Sequence, residues 1–285
     1  MSDAVPGGRG YSLHIGVNHV DPAHYSGWDG QLVACEADAQ VMAAIAEANG
    51  FAPELLLTAA ATREAVLDRL ARVATDARPG DIVMLTYAGH GGQIQDWSGD
   101  EADRMDETWC LFDSQLIDDE IFTCLGRFAA GVRIVMISDS CHSGTVFRGE
   151  RAAARNVDAS VPRIRAMPSS IARRTYQRNE DHYRTTEHGL FAREWKGVRQ
   201  ELAFPVAAAA VHFSGCMDHQ FSHDGDTNGH FTEKLLEVWA GGAFRGTHSA
   251  LHREVLKRVR SDQTPQLARF GGGDAAFDTQ RAFAI

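Results

Sequence analysis

Apolar and polar positions alternate along this chain in two rhythms, one of strands and one of helices. Tyr11–Asn18 (YSLHIGVN) reads as a first strand and Glu54–Leu57 as a short second one. Asp81–Ala88 (DIVMLTYA) and Val132–Asp139 (VRIVMISD) are almost continuously apolar, as strands buried on both faces are. Phe204–Phe213 and Gln263–Phe270 complete the set. Between them, Cys35–Asn49 carries apolar residues at helical spacing and stops at Gly50. Thr62 suits an N-cap, with Glu64 and Asp68 near the start of a helix that ends before Pro79-Gly80. Asp118–Phe128, Phe231–Trp239 and His248–Val259 also read as helices. This order predicts an α/β fold with a mostly parallel central sheet of about six strands and helices on both faces.

One stretch follows neither rhythm. Residues 148–200 hold twelve Lys or Arg against six acids and separate two strand–helix blocks. The expected organisation is a tail at 1–10, a first block at 11–147, this basic linker at 148–200, and a second block at 201–285 that completes the same domain. A connection of about 50 residues exceeds ordinary loop length, which marks it as functional or mobile.

Composition narrows the function classes. With 44% hydrophobic and 23% charged residues, the chain has the balance of a soluble globular protein. Its net charge of −10 argues against a nucleic-acid surface. Residues 96–120 concentrate ten acids against one Arg, which suits either a cation site or a solvated loop. The five cysteines (35, 110, 124, 141 and 216) are odd in number and form no C-x-x-C pair. The start of the chain is polar and glycine-rich, and no apolar run approaches the roughly 20 residues of a membrane span. A reducing, cytoplasmic setting is therefore expected, with no membrane partner.

Candidate chemistry lies where two apolar strands end. In open α/β sheets reactive groups gather at the carboxyl ends of strands. One strand runs into Ala88-Gly89-His90-Gly91-Gly92, the other into Asp139-Ser140-Cys141-His142-Ser143-Gly144. If the strands are neighbours, His90 and Cys141 meet above the sheet. A thiol beside an imidazole suits nucleophilic catalysis, with Cys141 as nucleophile, His90 as general base, and the N–H groups of Gly91 and Cys141 as an oxyanion hole. The His-Gly-Gly run is faintly similar to a lipase oxyanion loop, but no G-x-S-x-G elbow accompanies it. A zinc site from His90, Cys141 and His142 would lack a fourth ligand.

These segments resemble the metacaspases and their prokaryotic relatives, the orthocaspases, which carry Y-S-G-H-G and D-S-C-H-S-G at the corresponding places. Cys141 follows His90 by about 50 residues, as in caspases. Leu32–Asp38 (LVACEAD), Phe213–Asp218 (FSGCMD) and Gln263–Leu267 (QTPQL) extend the similarity over most of 11–270, the linker excepted. The resemblance implies a caspase-like fold and a cysteine endopeptidase acting on protein or peptide substrates after Arg or Lys. It assigns the acidic pocket to Asp38 and Asp139, with Cys35 lining it and Ala88 in place of a family serine. It also implies calcium, held by Asp106, Asp118 and Asp119, although Phe147-Arg148 stands where a fourth aspartate belongs, which should weaken a hard-cation site. Asp224–Gly229 opens like an EF-hand loop, but Leu235 stands where its bidentate Glu should be, so it reads as a surface loop near the cleft.

Relatives often cut themselves between their two blocks. The linker offers Arg155, Arg163, Arg165, Arg173, Arg174 and Arg178 as autocleavage candidates. An inactive caspase-like scaffold or signalling protein is the alternative from another functional class.

Overall fold

The computed structural model describes residues 8–95, 105–141, 163–190, 205–217, 220 and 222–285. In chain order the elements are β1 (Gly10–Gly16), α1 (Cys35–Ala48), β2 (Phe51–Leu57), α2 (Arg63–Asp76), β3 (Ile82–Ala88), β4 (Gly91–Gln95), β5 (Met105–Cys110), β6 (Gln115–Ile117), α3 (Asp118–Leu125) and β7 (Arg133–Asp139). There follow β8 (Arg163–Ile164), α4 (Ser169–Arg178), α5 (Glu180–Leu190), β9 (Ala209–Ser214), β10 (His223–Asp224), α6 (His230–Trp239), α7 (His248–Leu256), β11 (Gln266–Gly271) and α8 (Ala275–Thr279).

The central sheet has the strand order β11-β9-β7-β3-β1-β2, with β11 antiparallel and the rest parallel. Its two middle strands have no water-facing side. In β3, Val83, Leu85 and Tyr87 enter one hydrophobic core and Ile82 and Met84 the other. In β7, Ile134 and Met136 take the first side and Val135 and Ile137 the second. Continuous apolar runs are what such strands require, because alternate side chains face opposite layers. Val66, Leu70 and Val73 of α2 and Ile121 and Leu125 of α3 cover the first face. Met42 and Ile45 of α1, Phe231 and Leu235 of α6, and Leu251 and Val255 of α7 cover the second.

Local signals hold where the chain closes its own hydrogen bonds. Thr62 caps α2, its side chain accepting from the Ala65 N–H at 3.2 Å. The second strand begins at Phe51 rather than Glu54, and Pro53 lies inside it. Proline is tolerated there because β2 is an edge strand.

Two features depart from the sequence expectation. β4, β5 and β6 form a separate three-stranded antiparallel sheet. Part of the expected irregular linker is ordered: β8 pairs with β10, α4 packs against β4, and α5 packs against α3. Ala172, Thr175 and Tyr183 are the buried residues that dock the two helices. No helix among the described residues is long and apolar enough to cross a membrane.

Candidate active site

β3 and β7 are neighbours in register, with Ala88 paired to Asp139, so their carboxyl ends deliver His90 and Cys141 to one place. The backbones then press together: a Cβ on Gly91 would lie 1.9 Å from the Cys141 carbonyl oxygen, so only glycine fits. His90 is buried, and its Nε2 donates to the Gly30 carbonyl at 2.9 Å. A carbonyl can only accept, so Nε2 carries the proton and Nδ1 is the basic nitrogen of the neutral ring. Nδ1 is buried and has no hydrogen-bond partner. Burial lowers the His90 pKa to about 4, opposed by the hydrogen bond to Gly30. The Trp28 ring lies 4.7 Å from the imidazole, centroid to centroid. On the other side, the Cys141 sulfur accepts from the Ser222 N–H at 2.5 Å.

A segment of the chain itself lies in this cleft. The Arg165 carbonyl oxygen accepts from the Gly91 N–H at 3.0 Å and the Cys141 N–H at 3.1 Å. The Arg165 N–H donates to the Ser222 carbonyl at 3.0 Å, and the Met167 N–H to the Gly91 carbonyl at 2.7 Å. The chain thus runs through the site with hydrogen bonds on both sides of the Arg165–Ala166 bond. The Arg165 side chain is fully enclosed. Its Nη2 lies 2.6 Å from Asp38 and 3.0 Å from Asp224, and its Nη1 3.0 Å from the Asp139 carboxylate. Such burial of a guanidinium is tolerable only against paired carboxylates.

Comparison with known proteins bears on this arrangement. The family model of the caspase domain matches residues 9–271. The chain belongs to the caspase-domain family. This caspase domain is 36% identical over 154 residues to metacaspase-1A of Neurospora crassa, a match covering 49% of the chain and 33% of that protein. It is 28% identical over 293 residues to metacaspase-1A of Aspergillus fumigatus, covering 92% of the chain and 68% of that protein. The chain thus spans only about a third of the N. crassa relative. A crystal structure of a protein from Geobacter sulfurreducens aligns at 47% identity and TM-score 0.85, covering 97% of this chain and 99% of that one. Caspase-1 of Spodoptera frugiperda shares the fold at 12% identity and TM-score 0.50, covering 94% and 92%. The metacaspase resemblance and the caspase-like fold expected from sequence are both found.

Within the caspase domain, the two acids expected in a pocket do converge. Asp38, in the first turn of α1, accepts from the Gly229 N–H and the Asn228 side chain. Asp139, at the end of β7, accepts from the Ser222 and Thr232 hydroxyls. Burial raises the Asp38 pKa to about 6, against the lowering effect of Arg165. Burial likewise holds the Cys35 thiol well above its ordinary value, with Arg165 and the three aspartates as its charged neighbours. Cys35, Leu32 and Ala88 form a small apolar patch.

Four participants were not predicted from sequence. Asp224 is a third carboxylate on Arg165, fixed by the Val33 N–H at 2.9 Å. Ser222 bonds the sulfur, Arg165 and Asp139, and Gln263 supports it by donating to its hydroxyl at 3.1 Å and to the Gly215 carbonyl at 2.8 Å. Thr232 adds both an N–H and a hydroxyl to Asp139. The sequence reading put the Asp224–Gly229 loop near the cleft, but nothing in its spelling marked Asp224 as a pocket acid. Asp224 is buried in the pocket rather than on a surface loop.

Of the autocleavage candidates, Arg165 alone among the described five occupies the cleft. Arg163, Arg173, Arg174 and Arg178 are exposed on β8 and α4, and Arg155 lies outside the described residues. Asp106 on β5 and Asp119 in α3 are buried, while Asp118 is half-buried. Among the described residues no group of three His, Cys, Asp or Glu side chains is placed to hold a metal ion. Phe147, Arg148 and His142 lie outside the described residues.

Proposed function

We propose that this caspase domain is a cysteine endopeptidase that cuts after a basic residue, and that the Arg165–Ala166 bond is its own first substrate. The observation that carries this is a single residue, Arg165. Its carbonyl oxygen receives two N–H groups while its side chain fills an acidic pocket.

In this mechanism the Cys141 thiol gives its proton to Nδ1 of His90, the ring nitrogen left without a partner. The thiolate attacks the Arg165 carbonyl carbon, and the charge that forms on oxygen is met by the Gly91 and Cys141 N–H groups already directed at it. His90 returns the proton to the Ala166 nitrogen as the C–N bond breaks, leaving Arg165 as a thioester on Cys141. Water, deprotonated by His90, then splits the thioester and frees the Arg165 carboxylate. No step passes through calcium.

The test compares intact masses of wild type and Cys141→Ala after incubation, with calcium and with a chelator. The wild type should yield a fragment beginning at Ala166, and Cys141→Ala should stay whole. A basic-ended fluorogenic peptide should be hydrolysed and an Asp-ended one ignored. An intact wild type that hydrolyses no basic peptide would instead favour the scaffold, for which the self-filled cleft is the supporting observation.

A further inference from the structure

We propose that the site exchanges bonds as well as hydrolysing them: the Ala166 amine freed in the first step stays beside the thioester and re-forms the peptide bond more often than water splits it. This rests on the peptidase reading above and gives the acyl-enzyme a second fate. The two sides of the Arg165–Ala166 bond are anchored independently. The acyl side is held by the Arg165 guanidinium among Asp38, Asp139 and Asp224. The leaving side is held by Met167, which is 3% exposed, belongs to the hydrophobic core under α2 and α3, and donates its N–H to the Gly91 carbonyl at 2.7 Å. A Cβ on Gly92 would stand 2.7 Å from the Met167 Cε, so β4 has room for this side chain only because it lacks one there. Directly after it, Pro168 is buried, and its carbonyl accepts from the Ile171 and Ala172 N–H groups at 2.9 Å as α4 begins. Ala166 itself shares a small apolar cluster with Cys141 and Cys216.

Breaking one C–N bond removes none of these anchors. The Ala166 nitrogen is released neutral, its nucleophilic form, beside the carbonyl carbon it has just left. It attacks the thioester and gives a proton to Nδ1 of His90, while Cys141 departs as a thiolate and takes that proton back. The chain is whole again and nothing is consumed. Water competes poorly with this return. It must enter a site whose sulfur is fully buried and whose imidazole is 5% exposed. A well-placed intramolecular nucleophile, by contrast, acts at effective concentrations on the order of 10⁵ M or more. Most acyl-enzymes therefore close again, and a small amine that enters the site captures the acyl group that water misses.

The full chain, incubated at neutral pH with and without hydroxylamine and followed by denaturing mass spectrometry, tests this. Hydroxylamine should speed the loss of intact wild type by about tenfold, and the piece ending at Arg165 should carry a hydroxamate in place of the carboxylate. Cys141→Ala should stay uncut at this bond in both conditions. Met167→Ala, which loosens the leaving side, should cut faster in water alone and gain less from hydroxylamine. That gain is a ratio read within one protein, so it does not depend on the stability of the variant. Equal loss of intact wild type with and without hydroxylamine, or an undiminished gain in Met167→Ala, would overturn the exchange while leaving the peptidase intact. A wild type that stays whole in both conditions, with calcium and with a chelator, would overturn the peptidase reading itself.

Discussion

Ser222 touches the sulfur of Cys141 with its N–H, the Arg165 N–H with its carbonyl, and Asp139 with its hydroxyl. One residue thereby couples the nucleophile to the pocket, so changes in pocket charge should be visible in substrate binding. His90 is held neutral to about pH 4, whereas Asp38 takes up a proton near pH 6. The proposed base is thus neutral at pH 5, but the pocket has lost one of its negative charges. Asp38 titrates near 6 only with Arg165 beside it and higher in a vacated pocket, so KM for an arginine peptide should rise as pH falls toward 6 and level off below it, while kcat holds to lower pH. Separate pH profiles of kcat and KM check this, and a kcat that drops near pH 6 at constant KM would contradict it. His90 and Cys141 were legible in sequence because each follows an apolar strand directly. Ser222 and Asp224 were not, because a polar loop more than 80 residues beyond Cys141 gives no local sign of where it packs.

At the scale of elements, legibility followed burial. β3 and β7 are read from their residues because both faces are covered. β4 to β6 were missed, since β5 and β6 lie in the acid-rich run and all three strands are shorter than β3 and β7. The helices α4 and α5 were missed for a different reason. They dock through the sparse contacts of Ala172, Thr175 and Tyr183, with Tyr183 between Ile94 and Ile117 and its hydroxyl bonded to Gln115 and His24. Few apolar positions are needed, so no apolar stripe is written. Tyr183 lies after the Arg165–Ala166 bond and its partners lie before it, and β9 pairs with β7 across the same point. Cutting that bond should therefore leave the two pieces together: one native species in size-exclusion chromatography, two bands after denaturation. Separation without denaturant would show the docking to be too weak.

The whole molecule places a cation at the convergence of three elements, α1 with Asp38, β7 with Asp139 and β10 with Asp224. In a Cys141→Ala background, where the chain stays uncut, Arg165→Ala should lower stability at pH 7 by about 3 kcal/mol, because it strands enclosed carboxylates. The sign of its pH dependence follows from linkage. Asp38 is raised above its ordinary value by burial, so the stability its proton brings is complete below about pH 4 and lost as pH rises through 6. Without Arg165 the lowering influence is gone and that window moves upward. The gap in Tm between the two proteins should accordingly narrow from pH 7 to pH 5, and a constant gap would argue against charge as the cause.

The bonds of Arg165 and Met167 to Ser222, Gly91 and Cys141 also have a consequence in time. A substrate tethered to its own enzyme reacts at a rate set by geometry, not by encounter. In the proposed reaction an added peptide must wait for the arginine to vacate. Progress curves should open with a lag whose length is the same at nanomolar and micromolar protein, making the cleft a first-order clock that each molecule runs once.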